Sequence, residues 1–172
     1  MSWRQRALER RRIDRLLWVT SLFFVVWLVW VETSFQYFEG SLGSDLRLQS
    51  AGVALVAGSF LLPYGLVQVP IGRLIDRGRV ELWLLLAALA AACCSLVFAS
   101  SDSLQGLLLS RIGTGMACAV AFPASAVLAR RSLPADRFAL AIGFTDGLLG
   151  MGAAFAAVVP LLLGRAGWRD LV

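Results

Sequence analysis

The stretch VPIGRLIDRGRVELW, residues 69–83, gathers Arg73, Asp76, Arg77, Arg79 and Glu81 between two long apolar runs. A charged side chain at the centre of a hydrocarbon layer costs about 2.5–3.5 kcal/mol on insertion scales. Charges packed this closely therefore read as a turn at a membrane surface. The runs on either side then read as helices that cross the membrane.

The rest of the chain supports that reading. Of its 172 residues, 59% are hydrophobic, against roughly 45–50% in soluble domains, and the mean hydropathy is +0.76. A hydrocarbon core needs about 20 mainly apolar residues per helix. The sequence supplies such segments at 16–38, 50–71, 82–99, 104–129 and 138–163. The expected fold class is thus an all-α membrane protein with a short basic segment, 1–15, ahead of one transmembrane domain, 16–172. The basic start is no secretory signal, because the apolar run behind it is too long and lacks a small-residue cleavage site. Pro63, Pro70, Pro123 and Pro160 fall inside helices, where kinks are expected.

Arginine placement sets the orientation. All 16 basic residues are arginine. The N-terminal segment carries Arg4, Arg6, Arg10, Arg11, Arg12 and Arg15, the second connection Arg73, Arg77 and Arg79, and the fourth Arg130, Arg131 and Arg137. The first connection has only Arg47 and the third has none. Basic loops face the cytoplasm, so the N-terminus is expected there, with Arg10, Arg11 and Arg12 against the anionic leaflet. Arg165 and Arg169 run against that rule, as if the tail opened another crossing. The net charge of +5 is then a property of membrane loops and not a nucleic-acid footprint.

Enzymatic chemistry finds little footing. The chain has no histidine, the commonest general base and metal ligand, and its serines lack a neighbouring base. Cys93, Cys94 and Cys118 sit in apolar runs without a metal-binding or disulfide spacing and read as small packed hydrophobes. No metal site and no cofactor are expected.

Charges inside the spans are the candidates for function, because such groups normally face a cavity or a partner. Glu32, with Gln36 one turn on, is either a protonatable cavity carboxylate or an interfacial group that reaches outward. Arg111 shares a face with Gly115, Cys118 and Phe122, and an ion pair with Glu32 or Asp146 is one reading of it. Asp146 is the leading candidate for a substrate or proton contact. Gly143, Gly147, Gly150 and Ala154 recur around it at helical spacing and, with Gly115 in the fourth span, read by default as close-packing positions for a neighbouring helix. Trp18, Trp83 and Trp168 at span ends read as interfacial anchors. Trp27, Trp30, Phe35 and Tyr37 line either a cavity or the lipid.

In the opening stretch, Gly72 and Gly78 allow close backbone approach, while Arg73, Arg77 and Arg79 anchor the turn. Asp76 needs a further reason, either an arginine partner or the positive end of a helix. The string G-x-x-x-D-R followed by Gly-Arg, behind the run YGLVQVPIG, resembles the signature turn of the major facilitator superfamily, one residue shorter than usual. Arg111 and Gly115 resemble that family's R-x-x-x-G-x-G, with Ala117 for the last glycine. Gly143, Gly147 and Gly152 resemble its antiporter glycine series, with Leu148 where a proline is usual and Met151 for another glycine. The ending AGWRD resembles the lead-in to its sixth helix.

The resemblance implies a secondary transporter of twelve helices in two six-helix bundles, with a small-molecule substrate, and protons as a coupling ion, at the midplane between them. It places Arg111 near the proton pathway and gives Asp76 a latch role in gating. This chain would hold five helices of an incomplete N-terminal half in the inner membrane, inactive without the remainder. It is then a fragment, a truncated frame, or a half completed by a second chain. The alternative expectation is a five-span protein that transports nothing and serves as partner or scaffold to another membrane protein.

Overall fold

A computed structural model describes residues 3–163 and 167–170. Arg165, and the side chains of Arg4, Arg6, Arg10 and Arg11, lie outside the described residues. The chain forms α1 (Trp3–Asp45), α2 (Ser50–Arg77), α3 (Val80–Ser100), α4 (Leu104–Cys118), α5 (Ala121–Ser132) and α6 (Phe138–Leu163). Short 3-10 turns cover Ala135–Arg137 and Trp168–Asp170, and the described residues contain no strand. Five segments are long and apolar enough to cross a membrane: Arg12–Asp45, Ser50–Arg77, Val80–Ser100, Leu104–Ser132 and Ala135–Pro160. Each contains or closely overlaps an expected span.

The first helix runs further than expected at both ends. No glycine or proline interrupts it before Gly40, and its 43 residues at about 1.5 Å rise exceed a hydrocarbon core of about 30 Å twice over. It stops where Arg47 turns into the left-handed region, φ 51°. There the Leu48 N–H donates to the Gly43 carbonyl at 2.9 Å and the Arg47 N–H to that of Ser44 at 3.3 Å. This is a Schellman stop with arginine where glycine is usual. At the start of α4, the Ser103 side chain accepts from the Gly106 N–H at 3.2 Å, a capping bond that fixes the third connection.

The prolines do not act alike. α2 continues through Pro63 and Pro70 and α6 through Pro160, but the fourth span breaks at Ala119 and Val120. Those residues stand four and three before Pro123, whose ring crowds the carbonyl at i−4 and supplies no N–H to it. The expected single helix over 104–129 is therefore two half-helices.

That broken span is the centre of the molecule. Two-thirds of its most apolar window, 67%, is buried, whereas in the other four spans the share is 11–33%. Its α4 half packs between α2 and α3, its α5 half packs on α1, and α6 packs along the other flank of α1. Side chains fill the interior in three layers. At the end carrying the α2–α3 turn, Ile71, Ile75, Val80, Leu84, Val127 and Leu128 meet. Val25, Leu28, Phe60, Cys118 and Ala121 form the middle. Phe35, Phe38, Leu42, Phe98, Leu107 and Trp168 fill the far end.

Two expectations change here. Trp168 is not an interfacial anchor but a core residue, 2% exposed. Its ring meets Phe98 edge-on at 5.8 Å and its Nε1–H donates to Asp45 Oδ2 at 3.0 Å. Arg169 stacks over that ring at 4.3 Å and donates to the Ala99 carbonyl at 2.8 Å and to Asp102 at 2.6 Å. Trp168 and Arg169 thus strap the far ends of α1 and α3. Phe35, likewise, faces neither cavity nor lipid, being 1% exposed in the same layer. Trp18 and Trp83, half-buried, pack on the turn-end layer, and Tyr37 is exposed.

Large apolar side chains cover the outside, including Phe23, Leu62, Leu66, Leu140 and Leu162. A surface of this kind needs lipid or another helical body around it.

Candidate functional site

The turn between α2 and α3 is tight. α2 ends at Arg77, Gly78 and Arg79 make the connection, and α3 starts at Val80. A Cβ on Gly78 would stand 2.9 Å from the Leu74 carbonyl oxygen and 3.0 Å from Trp83 Nε1, so only glycine lets the chain reverse against that indole. Gly72 makes no such approach, since a Cβ there would meet nothing within 4 Å. Arg73, Arg77 and Arg79 are exposed.

Asp76 faces the end of α5, where Arg130 Nη2 lies 3.7 Å from Asp76 Oδ1. A second pair runs alongside, Arg131 Nη1 to Glu81 Oε1 at 3.6 Å. Together they bridge the α2–α3 turn to the end of the fourth span. The Asp76 and Arg130 side chains are 60% and 68% exposed, and an exposed pair of this kind contributes about 0–1 kcal/mol. Such a contact is weak enough to open and re-form. Below it, Gly72, Asp76, Pro123, Val127, Arg130 and Phe138 line an open groove of about 240 Å3.

A larger groove, about 410 Å3, lies between α2, α5 and α6, lined by Gln68, Phe122, Pro123, Ala126, Thr145 and Asp146 among others. Asp146 is exposed in it. Phe122 and Pro123, just after the break in the fourth span, share this wall with Gln68 and Asp146. Glu32 is half-buried and Gln36 exposed on α1. Asp146 stands near the turn end of α6, whereas Glu32 stands toward the far end of α1, so the two carboxylates occupy different levels.

Arg111 makes no direct salt bridge to Asp146 or Glu32, although Glu32 lies close enough to act on it electrostatically. Arg111 is 5% exposed, and its Nη1 donates to the Val31 carbonyl across the bundle at 3.0 Å. Its guanidinium lies 4.8 Å from the centre of the Phe35 ring, 4.9 Å from that of Phe60 and 6.0 Å from that of Phe98. Cation–π contacts of a desolvated guanidinium are worth about 2 kcal/mol or more. Rings from α1, α2 and α3 therefore do much of what a carboxylate would otherwise do. Of the two readings of Arg111, a direct salt bridge to a carboxylate is not what its contacts show, since α4 turns the side chain toward this aromatic layer.

The glycines divide by face. A Cβ on Gly115 would overlap the Phe60 carbonyl oxygen of α2, so Gly115 is the contact that draws α2 and α4 together. Gly152 does the same for α6 and α1: a Cβ there would stand 2.8 Å from both the Val26 oxygen and Val29 Cβ. Gly143, Gly147 and Gly150, expected as packing positions, meet nothing within 4 Å. The buried stripe of α6 instead runs through Ala141, Thr145, Leu148, Gly152 and Ala156, and those three glycines lie on the open side of it.

With this geometry in place, comparison with known families adds a match to the Major Facilitator Superfamily model over residues 18–170. The chain belongs to the major facilitator superfamily. Superfamily members are transporters, so the five crossing helices make this a multi-pass membrane protein of transporter type. The match spans the turn with Asp76, the central arginine and the strap after α6, so these features lie inside the superfamily unit.

Proposed function

We propose that the chain forms one wall of a secondary transporter that moves a small organic solute across a bacterial-type inner membrane by alternating access, coupled to the proton gradient. The N-terminus and the α2–α3 turn face the cytoplasm in this reading, which their arginine content supports. A second helical bundle, on the same polypeptide or another, supplies the opposite wall, and the chain alone is inactive.

The observation that carries the proposal is the exposed Asp76–Arg130 pair at 3.7 Å, set beside open grooves at the turn end. A contact worth about 0–1 kcal/mol adds little to stability but is suited to breaking and re-forming as two bundles rock. Asp146 and Glu32 are the carboxylates available to carry protons, with Asp146 in the groove wall and Gln68 across from it. Arg111, held among rings, supports the wall instead of contacting solute. Gly143, Gly147 and Gly150 leave the adjoining face of α6 smooth enough for the second bundle to slide against.

In a completed transporter in vesicles, Asp146→Asn is expected to flatten the pH dependence of flux and lower the rate at least tenfold. Glu32→Gln is expected to have a smaller effect. An unchanged pH profile in both variants overturns proton coupling through these groups.

A further inference from the structure

Beneath the aromatic layer at the far end, a small chamber of about 10 Å3 lies between α1, α3 and α4. Its polar side is Ser34, Ser95, Arg111 and Thr114, and Val31, Phe38 and Phe98 complete it. Each of these residues is no more than 9% exposed. Two buried polar atoms of lining residues, Arg111 Nε and Ser95 Oγ, have no hydrogen-bond partner among the described residues. The neighbouring donors are already engaged: Arg111 Nη1 bonds the Val31 carbonyl and Thr114 Oγ1 donates to the Ser110 carbonyl at 2.8 Å.

We infer that this chamber binds a single structural water that joins Arg111 to Ser95. Three observations converge on it. The volume matches the roughly 10–15 Å3 that one water requires. The lining offers the two to four polar partners that hold such a water in place. A buried polar group left unbonded costs about 1–3 kcal/mol, and more when charged, so both orphaned atoms favour an occupant. The water accepts from Arg111 Nε–H, exchanges a bond with the Ser95 hydroxyl, and reaches the Ser34 or Thr114 oxygen. It ties α3 to α4 through the Nε edge of the guanidinium, which has no partner among the described residues. The site stands independently of any transport activity.

An anion is the competing occupant beside a guanidinium. It is disfavoured by size, because the chamber leaves room for little more than one water-sized sphere.

The test is hydroxyl-radical footprinting in H2(18)O of the intact chain in lipid nanodiscs, read by mass spectrometry. A bound water generates radicals in place, so its neighbours are modified despite burial. Phe38 and Phe98, which line the chamber, are expected to react at least fivefold faster than Phe35 and Phe60, which touch the guanidinium from outside it. Ser95→Val, which fills the space with methyl groups, is expected to bring them down to that level. Equal rates for all four phenylalanines in the unmodified chain overturn the proposal, whether or not the valine variant folds. A thermal midpoint that falls when chloride is replaced by gluconate, and does so only with Ser95 present, also overturns it and assigns the site to an anion.

Discussion

Arg111 shows how much a buried charge depends on what surrounds it. The charge was plain in the sequence, and Glu32 lies near enough to act on it electrostatically, but its direct contacts were not legible, because they are a backbone carbonyl and three phenylalanine rings. The glycines teach a related lesson. Gly115, Gly143, Gly147 and Gly150 all read as packing positions in the sequence, but spacing alone does not tell which of them meets a helix of this chain. The Cβ test does, through the Phe60 oxygen at Gly115 and the Val26 oxygen at Gly152. Gly115→Ala is therefore expected to push α2 from α4 and destabilise the bundle by about 1–3 kcal/mol, the usual cost of overpacking. Gly147→Ala, facing open space, is expected to be neutral or to stabilise by up to about 1 kcal/mol through helix propensity. Thermal unfolding of both variants in one detergent checks the contrast, and equal losses would contradict this assignment of faces.

The helices themselves were legible, because runs of about 20 apolar residues between arginine clusters have few other readings. What escaped was the way they end and break. Pro123 was visible as a kink, but Pro63, Pro70 and Pro160 carried the same signal inside helices that remain whole. Only the packing around each proline decides whether its helix stays continuous. Trp168 misled for a similar reason: a tryptophan at the end of an apolar run has the same sequence context whether it faces lipid or folds back into the core. Its contacts with Phe98 and Asp45, and those of Arg169 with Ala99 and Asp102, make the two residues a strap across the far end. Trp168→Ala is expected to cost about 3–5 kcal/mol, the range for removing a large aromatic from a core. The loss should fall at the far end, so that amide exchange quickens around Phe35, Phe98 and Asp45 while the turn-end layer of Ile75 and Leu128 keeps its protection. Uniform loosening of both ends would contradict a local strap.

At the scale of the molecule, the broken fourth span at the centre and lightly buried helices around it describe a bundle built to lean on something else. Lipid covers part of that surface, and the proposed second bundle covers the face that carries Gln68, Asp146 and the open glycines of α6. The Asp76–Arg130 contact lies at the rim of this face. It answers what Asp76 holds within this chain, namely the end of the fourth span across a narrow gap. The family was legible because the charged turn and the central arginine sit in helices of the right order. The substrate was not, since in the proposed transporter a second wall contributes side chains that this chain does not carry. The central claim is most directly tested by solute flux into sealed vesicles, with a panel of labelled organic solutes and an imposed proton gradient, comparing the chain alone with the chain joined to the seven further helices that complete a twelve-helix transporter. The account predicts gradient-driven flux of at least one solute in the joined form, abolished by collapsing the gradient, and none from the chain alone. Flux from the chain alone, or none in the joined form for any solute, would contradict it.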